Sequence, residues 1–242
     1  MRCYSLVSRN LKEIFRDPVS VLLGLAMPVL MLFLFSSLNK RVPLEIFSPQ
    51  YLTPGIVIFS FTFLIMFSAM LIAKDKQSAF LVRLFTTPLK PSDYILSYIL
   101  PFLPLALLQV IVCFSLGMLL GAVFINILVS MLIFLLVAFL CISLGVTLGS
   151  LFTINQVSGI GSLLVCTIGL VSGVWMDLKM VGGLFEKIGY ALPFAHAVDV
   201  LKVLMTGKGS VDMAGSILII VAYAVVFFIL AVLSFRHCMK RE

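Results

Sequence analysis

Residues 94–176 read YILSYILPFLPLALLQVIVCFSLGMLLGAVFINILVSMLIFLLVAFLCISLGVTLGSLFTINQVSGIGSLLVCTIGLVSGVWM, and none of them is Asp, Glu, Lys or Arg. A bilayer core takes roughly 20 apolar residues per helical crossing, so this stretch must cross about three times. The turns it offers are 121–126 and 153–158, which cut it into spans at 94–122, 127–152 and 156–176. The runs are apolar on every face rather than alternating in polarity, which selects helices over barrel strands. Pro101 and Pro104 predict a bent or broken start to the first of these spans, tolerable where neighbours satisfy the freed carbonyls.

Working outward, three more runs are long enough to cross: 18–38, 52–73 and 213–235. Asp17 followed by Pro18 is a cap and first-turn pair that opens the first of them, and Pro28 predicts a kink within it. That run exceeds a signal-peptide core and lacks a small-x-small cleavage pattern after it, so it reads as a retained anchor. The expected fold is an all-α integral membrane protein, one domain over 1–242 with six transmembrane helices. A chain 62% hydrophobic and only 11% charged is excluded as an ordinary soluble domain. A net charge of +7 would point to nucleic acid in a soluble chain; here the cations flank apolar runs, where topology and lipid headgroups account for them. No nucleic-acid partner is expected. Cys3, Cys113, Cys141, Cys166 and Cys238 lie near the termini or inside spans, without disulfide or metal-ligand spacing.

Three polar segments remain. In 1–17, Val7, Leu11, Ile14 and Phe15 share one helical face while Arg2, Arg9, Lys12, Glu13 and Arg16 share the other, the pattern of a helix lying on the membrane surface. In 74–93, KDKQSAFLVRLFTTPLKPSD, residues Phe80, Leu81, Leu84 and Phe85 fall on one face with Lys76 and Arg83 turned away, and Pro88 and Pro91 stop the helix. Two readings of it are open: a surface helix snorkelling its cations, or a docking element through which a soluble partner moves the attached spans. In 177–212, Val181, Leu184, Phe185 and Ile188 form an apolar stripe, Pro193 opens a second short helix and Gly207 closes it. Two helices lying in, or dipping into, the outer interface fit that pattern.

Placing both termini in the cytoplasm puts Arg2, Arg9, Lys12, Arg16, the cations of 74–93 and those of the C-terminal RHCMKRE inside, close to span ends. The loop 74–93 is then cytoplasmic and 177–212 is outside.

No nucleotide site is encoded. The P-loop-like string Thr206–Ser210, TGKGS, lacks the first glycine at the required spacing and reads as a turn. Ser162 and His196 could be cast as nucleophile and base, but this topology separates them by about a span, far beyond hydrogen-bond reach. An ion channel or proton-coupled carrier would carry ionisable groups inside its spans, and three spans here have none. Phe59, Phe63 and Met66 form a stripe on the second span that could line a pathway or simply pack. Gln109 and Gln156 read as amides bonding helix to helix. Gly117 with Gly121, Gly145 with Gly149 and Gly169 with Gly173 each match Gly-x-x-x-Gly, which permits close helix contact, foremost within one chain; Gly169 and Gly173 could pack helices within the chain or between two copies.

RLFTTPLKPSDYIL (83–96) resembles the stretch after the second span in the membrane subunits of ABC type 2 exporters, the drug and polysaccharide export permeases. VSGVWM (171–176) followed by ALPFAHAVDVLK (191–202) is similar to that family's fifth-span ending and its Asn-Pro-x-x-Tyr-x-x-x-x-x-Arg segment. Pro193, Ala197, Asp199 and Leu201 match, whereas Leu192, His196 and Lys202 replace the usual Asn, aromatic and Arg. The resemblance implies a plasma-membrane permease that pairs with a second copy and binds two copies of a separate ATP-binding subunit. ATP and Mg would be held by that partner and no cofactor by this chain, which would not itself be an enzyme. It further implies that 1–17 is an interface helix, and that 74–93 holds a coupling helix docking through Phe80, Leu81, Arg83, Leu84 and Phe85. By the same likeness 177–212 forms outer re-entrant helices, with Pro193, His196 and Asp199 at the gate. The charge-free middle then suggests export of an amphipathic or apolar compound such as a drug, a peptide antibiotic or a lipid-linked glycan. The alternative is a membrane scaffold that recruits a non-ATPase partner through 74–93.

Overall fold

The computed structural model describes residues 2–42, 44–78, 91–175 and 178–241. Among these the fold is all-helical, and six helices are long and apolar enough to cross a membrane. The helices run α1 (Arg2–Arg16), α2 (Pro18–Arg41), α3 (Pro49–Gln77), α4 (Pro91–Ile99), α5 (Phe102–Leu119), α6 (Ile127–Leu151), α7 (Ile154–Val171), α8 (Leu178–Val181), α9 (Gly183–Ala191), α10 (Pro193–Thr206) and α11 (Met213–Arg241). The chain is a multi-pass membrane protein.

Helix α3 is the axis of the bundle. It packs most extensively on α6 and also meets α2, α5, α7 and α10, so residues from Leu52 to Ala73 are mostly buried. A helix apolar all round is stable only where every face meets protein or lipid, and here protein supplies most of the contact. Lipid is as apolar as the helices, so close approach of backbones rather than hydrophobic expulsion brings α3 and α6 together. Gly145 and Gly149 allow it: a Cβ on the first would overlap Ser68 Oγ and the Ile65 carbonyl, and one on the second the Ala69 carbonyl. The other two Gly-x-x-x-Gly pairs are not helical pairs. Gly121 lies past the end of α5 with φ +91°, where Ala122 N–H and Gly121 N–H close the last turn onto the Gly117 and Met118 carbonyls. Gly173 lies past α7 with φ +72°.

The turn expected at 153–158 is shorter. α7 starts at Ile154 because Gln156 Oε1 accepts from both Thr153 N–H and Thr153 Oγ1, each at 3.0 Å. Gln156 therefore caps a helix instead of bonding two helices together. Gln109 does bridge helices, donating from α5 to the Gly24 carbonyl of α2 at 3.1 Å. The prolines at 101 and 104 break the third span between α4 and α5 around Leu100 and Pro101. Pro28 lies inside a continuous α2. Helices α9 and α10 meet at 88°, a sharply bent pair at the end of the bundle away from the termini.

Candidate functional site

At the end of the bundle holding both termini, α1 is docked by more than its apolar stripe. Ile14 is buried and Val7 and Leu11 are half-buried, but Phe15 is 54% exposed and the buried polar residue is Asn10. Helical spacing alone puts Arg9 on the polar face of α1, away from the stripe. In the structure Arg9 reaches in to Asp75 near the end of α3, with Nη1–Oδ2 2.5 Å and Nη2–Oδ1 2.7 Å. Tyr98 Oη on α4 donates to the same carboxylate at 2.7 Å, and Asn10 Nδ2 donates to the Ser97 carbonyl at 2.9 Å. A buried carboxylate is costly unless fully hydrogen-bonded, which is why three donors converge on it. The bond to Asp75 holds the Arg9 guanidinium above its already high ordinary pKa, against the opposing effect of burial. Nearby, Lys76 Nζ donates to the Ser150 carbonyl, tying α3 to the end of α6.

The sequence signal for this cluster was slight. Asp75 is an acidic residue between two lysines at a span end, and only the docking angle of α1 brings Arg9 to it. Phe80, Leu81, Arg83, Leu84 and Phe85 lie outside the described residues.

At the opposite end, Pro193 is buried at the first turn of α10, the second helix of the bent pair. Asp199 accepts from Tyr190 Oη of α9 at 2.6 Å. His196 is held between Ser216 Oγ of α11 (Nδ1, 3.3 Å) and the Tyr190 carbonyl (Nε2, 3.0 Å), its ring edge-on to Tyr190. Tyr223 Oη donates to the Ala191 carbonyl at 2.7 Å. Lys202, which stands where the resembled motif has Arg, is buried. Its Nζ donates to the Gly173 carbonyl at 3.1 Å and lies 4.3 Å from the centre of the Tyr51 ring. One lysine thus joins α10, the chain after α7 and the first turn of α3. A cleft of about 340 Å³ opens here, its walls including Tyr51, Asp199, Lys202 and Lys208. The stripe Val181, Leu184, Phe185 and Ile188 is exposed on α8 and α9.

The predicted pathway stripe sits in a longer aromatic file. Ring centroids follow one another from Phe47 to Phe35 (5.9 Å), Trp175 (5.2 Å), Phe59 (5.4 Å), Phe63 (6.1 Å) and Phe67 (6.4 Å). Phe59 is buried, whereas Phe63 and Met66 are half-buried. Met66 packs below Gly161, and Gly169 lies against Phe59 and Trp175, so both glycines serve contacts within this chain. The other face of α7 is exposed along Asn155, Ser158, Ser162 and Cys166, a polar stripe at helical spacing on a membrane-crossing helix. Ser162 Oγ donates to the Ser158 carbonyl and does not meet His196. Among the described residues no group of His, Cys, Asp or Glu is arranged to hold a metal ion.

The family model described as ABC-2 type transporter matches residues 1–206. A search of the curated proteins found no match.

Proposed function

This chain belongs to the ABC-2 type transporter family and is a transporter membrane component; from that membership we propose that it exports an amphipathic or apolar compound, driven by two copies of a separate ATP-binding subunit. The single observation that carries the reading is the exposed polar face of α7. Asn155 at the start of α7 and the hydroxyls of Ser158 and Ser162 along it suit protein or water better than lipid, which favours placing that face against a second copy or a route. A second copy of this chain, with its α7 opposite, would enclose a route between the two polar stripes, flanked by the half-buried Phe63 and Met66. The absence of charged side chains from 94–176 suits a substrate that is apolar over most of its surface. In this reading both termini and 74–93 are cytoplasmic in the plasma membrane, and the ATP-binding subunits dock on Phe80, Leu81, Arg83, Leu84 and Phe85. Their ATP-driven closure favours one arrangement of the spans over the other.

Co-purification tests the docking. Phe80→Asp or Leu84→Asp should release the ATP-binding subunit while leaving the protein in the membrane, and undiminished recovery of that subunit refutes the docking role. Stimulation of the co-purified ATPase by drugs, peptide antibiotics or lipid-linked glycans tests the substrate class, and no response to any of the three removes it. Labelling of an Arg83→Cys variant from outside the cell would overturn the orientation.

A further inference from the structure

We infer that Arg9, Asp75 and Tyr98 form a latch through which the inner ends of α3 and α4 carry α1 with them, making the surface helix a driven part of the permease rather than a passive float. The inference rests on the proposed docking for the source of the motion, but the latch itself stands on geometry.

Helices α3 and α4 are the two that the 79–90 segment joins, and one carboxylate binds both of them to α1. Asp75 belongs to α3, Tyr98 donates to it from α4, and Arg9 donates two bonds from α1. Asn10 adds a bond from α1 to the Ser97 carbonyl of α4, and Arg9 Nη1 also donates to Asn10 Oδ1 at 3.0 Å, which fixes the guanidinium plane. The Asp75 side chain is 6% exposed and Tyr98 and Asn10 are 1% exposed. The carboxylate end is thus shielded from salt and water, while the Arg9 side chain is 33% exposed. An amphipathic helix held only by lipid would need its apolar face and a cationic rim. α1 also commits a cation and an amide to the protein. α1 packs on α4 and α2 and is tied to α3 through Asp75, so a shift of α3 or α4 must move it or break an ion pair whose carboxylate is buried.

Amide hydrogen exchange on the purified full-length protein tests this, with Arg9→Met to remove the fork and Arg9→Lys to keep a single charged donor. Residues 2–16 should exchange roughly tenfold faster in Arg9→Met and by an intermediate factor in Arg9→Lys, while residues 52–65 of α3 stay as in the unaltered protein. Exchange of 2–16 within about twofold of the unaltered protein would overturn the latch. If residues 52–65 loosen as well, Tyr98→Phe takes over, since it removes one bond without stranding a charge. A rise of roughly threefold in 2–16 then supports the latch and no change refutes it. Adding ATP to the complex with the co-purified ATP-binding subunit should alter exchange in 91–99 and in 2–16 together, and the second response should vanish in Arg9→Met. A nucleotide effect on 91–99 that leaves 2–16 untouched refutes the driven helix. If no ATP-binding subunit co-purifies, the proposed function fails, and the exchange comparison without nucleotide still decides the latch.

Discussion

The contact between α3 and α6 yields a prediction of opposite signs from one methyl group. In Gly145→Ala the new Cβ would overlap the Ile65 carbonyl and Ser68 Oγ, and that hydroxyl is already committed to the Leu64 carbonyl at 2.7 Å. Backbone atoms cannot rotate aside, so the two helices must part, at an overpacking cost of about 1–3 kcal/mol. Replacing a mid-helix glycine by alanine returns about 0.5–1 kcal/mol, so the net loss runs from near zero to about 2.5 kcal/mol. In Gly159→Ala the Cβ meets nothing within 4 Å. Only the propensity gain of about 0.5–1 kcal/mol remains, and the sign reverses. Thermal unfolding of the detergent-purified protein reads both. At about 2–4 °C per kcal/mol for a chain of this size, Gly145→Ala should lower Tm by up to about 10 °C and Gly159→Ala raise it by about 1–4 °C. Equal shifts of the same sign in the two variants would refute the argument that backbone approach between α3 and α6 holds the bundle.

Two further predictions concern the other sites. Lys202→Met keeps the length of the side chain but leaves the buried Gly173 carbonyl without its ammonium donor, so a loss of about 1–3 kcal/mol is expected. The single tryptophan, Trp175, stands two residues from that carbonyl, and its emission should shift in the same variant; an unchanged spectrum and Tm would remove Lys202 as a structural tie. With Cys3 and Cys238 replaced by serine, a charged, water-soluble thiol reagent should modify Cys166 on the polar face of α7 and spare the buried Cys113 and Cys141. Reaction with apolar reagents alone would place that face against lipid and remove the proposed route between two copies.

Six helices long enough to cross, the helical class and the break between Ala191 and Pro193 were legible in the chain because each follows from local rules. Residues 94–176 without a charge leave crossing helices as the available structure, and Pro101, Pro193 and Gly207 act on the backbone where they stand. A resemblance carried by 83–96 and 191–202 was equally local, and the family match bears it out. Pairings across the bundle were not legible. Gly145 and Gly149 read like the other two glycine pairs until α3 was laid against them, because close approach is a property of two helices together. Arg9 sat on the polar side of a helical wheel, and nothing within 1–17 indicates that Asp75 would lie beneath it. Trp175 joins the aromatic file only because α2, α3 and the end of α7 converge. Hydrophobic length and proline position act on the chain one segment at a time, so the sequence alone determined what crosses the membrane and where it bends. Which buried polar groups find each other depends on helix rotation and crossing angle, and the assembled bundle decided that.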